Sequence, residues 1–230
     1  MSTIPANLQA VRGRISKALQ GDSRRKVTLV AVTKSQPVEA IRAAYEAGCR
    51  DFGENYLQDA LPKMNALAGL DITWHFIGHL QSNKARDVAQ RFDWVHGVDR
   101  AKVAAALSRG RTETRGPLNV CIQVNISKEA TKHGIEPQAA VDLANEIEAL
   151  PRVKLRGLMG MARPGDDAQR QRAQFRVLRE TAEALKRAGH AIDTLSMGMS
   201  DDLEAAIAEG ATMVRIGTAI FGARERKRAA

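Results

Sequence analysis

A lysine that closes an apolar run is the residue of this sequence best suited to covalent chemistry. Lys34 follows residues 27–33 (VTLVAVT), a run with the composition of a buried strand. Burial lowers the pKa of a lysine, and the neutral amine that results attacks aldehydes to form Schiff bases. The alternative is a lysine whose side chain extends to solvent where its strand ends. Taken alone, Lys34 is better explained as a lysine that extends to solvent.

Strand-like and helix-period segments alternate along almost the whole chain. A leading amphipathic helix is predicted within residues 1–20, because apolar residues recur there at helical spacing: Ile4, Leu8, Val11, Ile15 and Leu19. Strand-like runs follow at 27–33, 51–53, 73–79, 94–98, 118–125, 154–160, 194–199 and 212–216. Helical periodicity lies between them at 38–47, 56–66, 84–91, 101–108, 137–150, 168–188 and 202–208.

Eight strand-like runs that alternate with helices predict a closed parallel barrel, an α/β fold of the (β/α)8 TIM-barrel type with an extra N-terminal helix. An open, doubly wound sheet is the alternative, and the absence of a GxGxxG turn after the first run weakens it. Gly48, Gly189 and Gly210 are expected to end three of the helices. No linker rich in proline, glycine or serine interrupts the pattern, so residues 1–230 are expected to form one domain.

The charge of the chain bears on the class of partner. A formal net charge of +9 would suit an anionic partner. The excess is concentrated in clusters at 24–26 (RRK) and 224–228 (RERKR), which could equally be solvated ends. Aromatic residues make up only 4% of the chain, so a base-stacking surface is not expected. Nucleic acid is therefore a minor alternative.

The cysteines and the N-terminus indicate a compartment. Cys49 and Cys121 stand far apart and form no CxxC pair, so reduced, partly buried thiols are expected. No signal-peptide pattern opens the chain, and no apolar stretch approaches the roughly 20 residues of a membrane span. A cytoplasmic protein without membrane contact is expected.

The predicted barrel would gather residues from distant parts of the chain at one mouth. Active sites of such barrels lie at the carboxyl ends of the strands. The residues at or just beyond those predicted ends are Lys34, Glu54, Asn55, His79, Gln81, Asn125, Met159, Met161, Ser200, Arg215, Gly217 and Thr218. Lys34 would therefore lie among other functional groups.

The last two strand ends have the residues of a phosphate site. Ser200 precedes a predicted helix, whose first backbone N–H groups can bind an anion. Gly217 permits close approach to the backbone, and Thr218 adds a hydroxyl. Each residue alone has a simpler explanation, Ser200 as a helix cap and Gly217 as a turn residue. Together, after the seventh and eighth strands, they favour phosphate.

A lysine opposite a phosphate site is what pyridoxal 5'-phosphate (PLP) requires, together with a partner for its pyridine nitrogen. Arg215 is the natural nitrogen partner. A guanidinium donates a hydrogen bond and would leave that nitrogen unprotonated, which makes the ring a poorer electron sink than a carboxylate partner would. The alternative for Arg215 is an ion pair at the end of the barrel with a residue such as Glu54.

The ordered motifs of the chain resemble those of the pyridoxal phosphate homeostasis proteins, the YggS/PROSC family. The stretch at 74–84 (WHFIGHLQSNK) is specific to that family. The other matching motifs are AVTK at 31–34, FGENY at 52–56, NIS at 125–127 with Lys132 and Gly134 behind it, GLM at 157–159, SMGMS at 196–200 and RIGT at 215–218. The resemblance covers nearly the whole chain.

The resemblance implies a barrel like the N-terminal domain of alanine racemase, with a role for each matched residue. Lys34 would form the Schiff base, Arg215 would face the pyridine nitrogen, and the phosphate would be bound by Ser200, Gly217 and Thr218. Ring contacts would come from Asn55, His79, Met159 and Met161.

Three of the residues that match the family keep alternatives that involve no ligand. Asn55 could instead cap the helix that follows it, and His79 could be a wall residue. Lys132 could be a second, transient PLP acceptor or a solvated loop lysine.

The resemblance also bears on catalysis. The racemase relatives use a further domain and a tyrosine as a second base, whereas Tyr45 and Tyr56 of this chain lie in predicted helices. A monomeric PLP carrier without catalytic activity is therefore expected, one that buffers PLP, supplies PLP-dependent apo-enzymes and affects amino-acid and keto-acid balance. The alternatives are a PLP enzyme of low activity, resembling an amino-acid racemase, and a nucleic-acid-binding accessory protein.

Overall fold

Eight parallel strands close a barrel in the order in which they occur along the chain. The computed structural model describes residues 3–129 and 133–222. Each strand pairs with the next, and the last pairs with the first. The strands are β1 (Thr28–Val32), β2 (Asp51–Glu54), β3 (Thr73–Phe76), β4 (Trp94–Val98), β5 (Leu118–Gln123), β6 (Val153–Met159), β7 (Thr194–Ser196) and β8 (Met213–Ile216). The predicted α/β barrel is confirmed.

Helices cover the outside of the barrel and connect its strands. They are α1 (Ile4–Ala18), α2 (Val38–Glu46), α3 (Leu57–Ala66), α4 (Ala85–Arg91), α5 (Ala101–Gly110), α6 (Ala140–Glu148), α7 (Ala168–Arg187), α8 (Leu203–Ala208) and α9 (Thr218–Phe221). Short 3₁₀ turns lie at Ser82–Lys84, Glu113–Arg115 and Pro137–Ala139. Gly48, Gly189 and Gly210 follow α2, α7 and α8 at φ values of +84°, +98° and +98°, as predicted for glycines that end helices.

Two strands end three residues earlier than their apolar runs suggest. β3 stops at Phe76 instead of residue 79, and β7 stops at Ser196 instead of residue 199. Glycine explains both ends. A Cβ at Gly78 would lie 2.1 Å from the carbonyl oxygen of Asn55, and Gly198 has a φ of +98°. At both places the backbone leaves the sheet.

The leading helix α1 packs against the last quarter of the chain. Its buried face consists of Leu8, Val11 and Ile15, as the periodicity predicts. The Arg14 guanidinium donates to the Ser200 carbonyl oxygen at 2.9 Å, and Asn7 donates from Nδ2 to the Ile220 carbonyl oxygen at 2.8 Å. The helix therefore supports the two segments that follow β7 and β8.

The two cysteines are buried free thiols within the fold. Cys49 is 3% exposed and Cys121 is not exposed at all. Burial raises the pKa of Cys49 to about 11 and that of Cys121 to about 12, which leaves both thiols protonated at neutral pH. Among the residues described, the structure contains no helix of the length and apolarity that a membrane crossing requires.

Candidate functional site

A cavity of about 240 Å³ lies at the carboxyl-end mouth of the barrel. It brings together six of the eight residues predicted to bind the cofactor: Lys34, Asn55, Ser200, Arg215, Gly217 and Thr218. The remaining wall is formed by Val32, Gln36, Ile77, Met161, Met199, Asp201 and Gly222. These residues come from the carboxyl ends of six strands, β1, β2, β3, β6, β7 and β8, which are far apart in the chain.

Lys34 enters the cavity from a tight turn after β1. The turn is closed by a hydrogen bond from the Gln36 amide to the Thr33 carbonyl oxygen at 2.9 Å, and Ser35 adopts a φ of +63° within it. Lys34 is half-buried. The lysine is therefore held at the mouth by a structured turn.

A buried ion pair lies directly beside the turn that holds Lys34. Glu54 is fully buried at the end of β2, and its Oε1 accepts from the Thr33 hydroxyl at 2.5 Å. Lys63 of α3 donates to the same Oε1 at 2.7 Å and to the Thr33 carbonyl oxygen at 2.8 Å. Lys63 did not stand out in the sequence. The available signal was its position three residues after buried Ala60, on the face of α3 that packs inward.

Arg215 is buried in the wall of the cavity and is fixed by three hydrogen bonds. Its Nη1 donates to the carbonyl oxygen and to the hydroxyl of Ser196, at 2.7 and 2.8 Å, and its Nη2 donates to the Gly160 carbonyl oxygen at 3.3 Å. Burial lowers its pKa to about 10, so the guanidinium stays charged at neutral pH. Glu54 pairs with Lys63, which excludes the alternative of a Glu54–Arg215 ion pair.

Two buried histidines extend the polar contacts of Arg215 into the barrel. The Ser196 hydroxyl lies 2.8 Å from Nδ1 of His96, whose Nε2 lies 3.0 Å from Nδ1 of His75. Nε2 of His75 lies 3.0 Å from a carboxylate oxygen of Asp51. Sequence reasoning missed His96, because a polar residue in an apolar strand run has no periodic signature.

Acid is expected to destabilise the protein through His96. Burial, followed by the nearby His75 and Arg215, holds its pKa well below the usual 6.5. As the pH falls, His96 is therefore protonated in the unfolded chain before it is protonated in the folded protein. The free energy of unfolding should fall by up to about 1.4 kcal/mol per pH unit below about pH 6.5, until the folded pKa is reached.

Urea unfolding measured between neutral and mildly acidic pH checks this prediction. The His96→Gln variant, which carries no titrating group at this position, should lose that part of the slope. Parallel stability curves for the wild type and His96→Gln would contradict the prediction.

The loops after β7 and β8 are tied together at the cavity. The Ser200 hydroxyl accepts from the Ala219 amide at 3.1 Å, in the first turn of α9. Ser200 does not cap α8, because that helix begins at Leu203 with Asp202 as its N-cap. Ser200 and Thr218 both line the same cavity.

The fold itself does not require a glycine at position 217. Its φ is −114°, which any residue can adopt. A Cβ at this position would make ordinary contact with Val32, 3.4 Å from its carbonyl oxygen. A residue without a side chain here leaves the backbone open toward the cavity, as an anion site requires.

Asn55 presents an unused acceptor next to the cavity. Its Oδ1 is buried and has no hydrogen-bond partner among the residues described. The residue does not cap α3, since Tyr56 is the N-cap and makes no side-chain cap bond. Asn55 also lines a neighbouring depression with His79 and Lys84. An orphaned buried oxygen at this position suits contact with a ligand.

Two predicted site residues lie outside the cavity. His79 is exposed in the neighbouring depression, where its ring stacks on His133 at 3.7 Å and its Nδ1 lies 3.7 Å from Oδ2 of Asp99. Met159 is 1% exposed and packs in the barrel interior, while Met161 lines the cavity. Lys132 and the cluster at 224–228 lie outside the described residues.

Comparisons with known proteins agree with this geometry. The family model "Alanine racemase, N-terminal domain" matches residues 6–225. A pyridoxal phosphate homeostasis protein of Pseudomonas aeruginosa is 53% identical over 98% of this chain and 97% of its own length. The protein of the same name from Escherichia coli is 50% identical over 98% of both chains.

A solved structure from Synechococcus elongatus adds a ligand to the comparison. PipY, determined with PLP bound, is 38% identical, with a TM-score of 0.85 over 96% of this chain and 100% of PipY. The chain belongs to the alanine racemase N-terminal domain family and, within it, to the pyridoxal phosphate homeostasis proteins.

Proposed function

We propose that this protein binds PLP covalently at Lys34 and serves PLP homeostasis by holding, buffering and delivering the cofactor. The observation that carries the proposal is the convergence of Lys34, Arg215, Ser200 and Thr218 on one cavity. The PLP-bound form of PipY, at 38% identity over nearly the whole chain, supports the same ligand.

The groups lining the cavity fit the three ends of PLP. When bound, PLP supplies an aldehyde that condenses with a lysine amine and releases water. Lys34 is the lysine that lines the cavity among the described residues. The Ser200 hydroxyl, the Gly217 backbone and the Thr218 hydroxyl would hold the phosphate, and Asn55 and Met161 would contact the ring. Met159 would not touch the ring directly, but it belongs to the buried cluster against which Met161 packs.

Arg215 supports storage of PLP over its use in catalysis. Its guanidinium is held rigidly by Ser196 and Gly160, and with a pKa of about 10 it would donate to the pyridine nitrogen without protonating it. An unprotonated ring is a weaker electron sink, so a bound amino acid would lose its α-proton slowly.

The positions of the two tyrosines also support a carrier role. Tyr45 stacks under the Arg50 guanidinium, 3.9 Å from ring centroid to Cζ, and Tyr56 is 60% exposed beside α3. Neither lines the cavity. A second base of the racemase type is therefore missing from the lining, which favours a carrier over a racemase-like enzyme.

The proposal extends to the recipients of PLP, the oligomeric state and the compartment. PLP-dependent apo-enzymes would receive the cofactor from a monomeric carrier. The buried free thiols of Cys49 and Cys121 suit a reducing compartment such as the cytoplasm.

A transfer experiment tests the carrier function. The PLP-loaded protein, freed of unbound PLP, is mixed with the apo-form of a PLP-dependent aminotransferase, and the recovery of aminotransferase activity is followed. We expect full recovery with the loaded protein, and none with a Lys34→Ala protein treated in the same way. Failure of the wild type to retain PLP, or rapid racemisation of alanine by the loaded protein, would contradict the proposal.

A further inference from the structure

A continuous chain of hydrogen bonds crosses the barrel interior from the cavity to the opposite end. It runs from Arg215 through Ser196, His96 and His75 to Asp51, with links of 2.8, 2.8, 3.0 and 3.0 Å. Arg215 is 5% exposed and the three middle residues are fully buried. Only the Asp51 side chain, at 28% exposure, reaches the surface. This chain of hydrogen bonds thus joins the candidate site to the amino-terminal end of β2.

The Asp51 carboxylate fixes the direction of every hydrogen bond in this series when both imidazoles are neutral. An ionised carboxylate can only accept, so His75 donates to Asp51 from Nε2 and, as a neutral imidazole, accepts at Nδ1. His96 must then carry its proton on Nε2 and donate it to Nδ1 of His75. The Ser196 hydroxyl accepts from Arg215 and donates its own proton to Nδ1 of His96.

The Asp51 end of the chain opens on a second, positively charged groove. Asp51 lines this groove of about 610 Å³ together with Arg12, Arg25, Lys26 and Arg50. All three arginines donate to backbone carbonyls at helix ends or just beyond them, those of Ala47, Ile207 and Tyr45. These cationic side chains line the same groove as Asp51, the acceptor at the end of the hydrogen-bond series.

We propose that His75, His96 and Ser196 are positioning residues that orient and polarise the Arg215 guanidinium at the cavity, and that Asp51 acts on the same site from the far end of the barrel. Polarised chains of this kind strengthen each link, so a change at one end alters the donor at the other. The consequence for PLP rests on the proposed function, whereas the direction of the chain does not.

The first test uses the free protein without PLP. Long-range ¹H–¹⁵N correlation spectra at neutral pH distinguish the two neutral tautomers of each histidine and the imidazolium. We expect His75 and His96 both as the Nε2–H tautomer. An Nδ1–H tautomer or an imidazolium at either residue would overturn the proposed direction of the chain.

The second test breaks the chain one residue away from Arg215. Ser196→Ala removes the hydroxyl that links Arg215 to His96, and Thr181→Val is the matched control, since the buried Thr181 hydroxyl bonds only locally, to the Val177 carbonyl oxygen at 2.7 Å. We expect Ser196→Ala to shift the absorbance of bound PLP and to weaken PLP retention about three- to tenfold. Thr181→Val should change neither.

The third test changes Asp51, at the far end of the hydrogen-bond series from Arg215. Asp51→Asn keeps an acceptor oxygen but removes the charge, so it should move the His75 and His96 nitrogen shifts and the absorbance of bound PLP in the direction of Ser196→Ala. If Ser196→Ala and Asp51→Asn both match Thr181→Val, the coupling to Arg215 is refuted. If the wild type binds no PLP while the tautomers are as expected, the proposed function fails and the direction of the chain stands.

Discussion

Replacing Lys34 with alanine is expected to abolish the visible absorbance that the protein acquires with PLP, because no other lysine among the described residues lines the cavity. The phosphate loops and Arg215 remain in this variant, so weak non-covalent binding should persist and be lost on gel filtration. Absorbance spectra and PLP retention, measured on the wild type and the variant at equal protein concentration, check this expectation.

Lys84 provides the matched control for Lys34. It is an exposed lysine that lines the neighbouring depression with Asn55 and His79. Lys84→Ala should retain the full absorbance of the wild type. The opposite pattern, with absorbance lost in Lys84→Ala and kept in Lys34→Ala, would move the site to that depression.

Removal of the Lys63 charge is expected to cost more stability than any other single change proposed for this protein. Lys63→Met leaves the fully buried Glu54 carboxylate without its cation, and Oε2 of Glu54 already has no hydrogen-bond partner among the described residues. Breaking a buried pair from one side costs about 3 to 5 kcal/mol. Urea unfolding should show that decrease as a lower midpoint at unchanged slope.

A double variant separates the unpaired charge from the loss of packing. Lys63→Met combined with Glu54→Gln removes both charges, and it should recover a large part of the stability lost in Lys63→Met. A decrease below about 1 kcal/mol in Lys63→Met would mean that water screens the pair, as it does for surface ion pairs. The same pair holds the Thr33 carbonyl, so PLP retention should fall together with stability.

The barrel and most of the mouth were predictable from the sequence for a simple geometric reason. Strand-like and helical periods alternate without interruption, and parallel closure then places every strand end at one mouth. Lys34, Arg215 and Ser200 lie far apart in the chain, but this rule alone is enough to expect them at the same cavity.

The exact depth of side chains at the mouth was not predictable. Met159 and Met161 both lie at the end of β6, and only the position of the last strand residue decides which of them lies in the interior and which in the cavity. The family resemblance placed His79 at the ring, whereas β3 ends at Phe76 and His79 lies in the neighbouring depression.

The polar partners inside the fold were also beyond sequence reasoning. Lys63 in a helix and His96 in a strand look like ordinary residues of their elements, and only the closed barrel brings Glu54 to one and Ser196 to the other. Long-range pairs of this kind depend on register between elements, which periodicity does not encode.

The central claim, that PLP attaches to Lys34, is tested most directly by chemical fixation. The PLP-loaded protein is reduced with borohydride, digested, and analysed by tandem mass spectrometry to locate the pyridoxyl group. The expected result is near-complete modification of Lys34. Modification of Lys63, Lys84 or Lys132 with Lys34 unmodified would contradict the account.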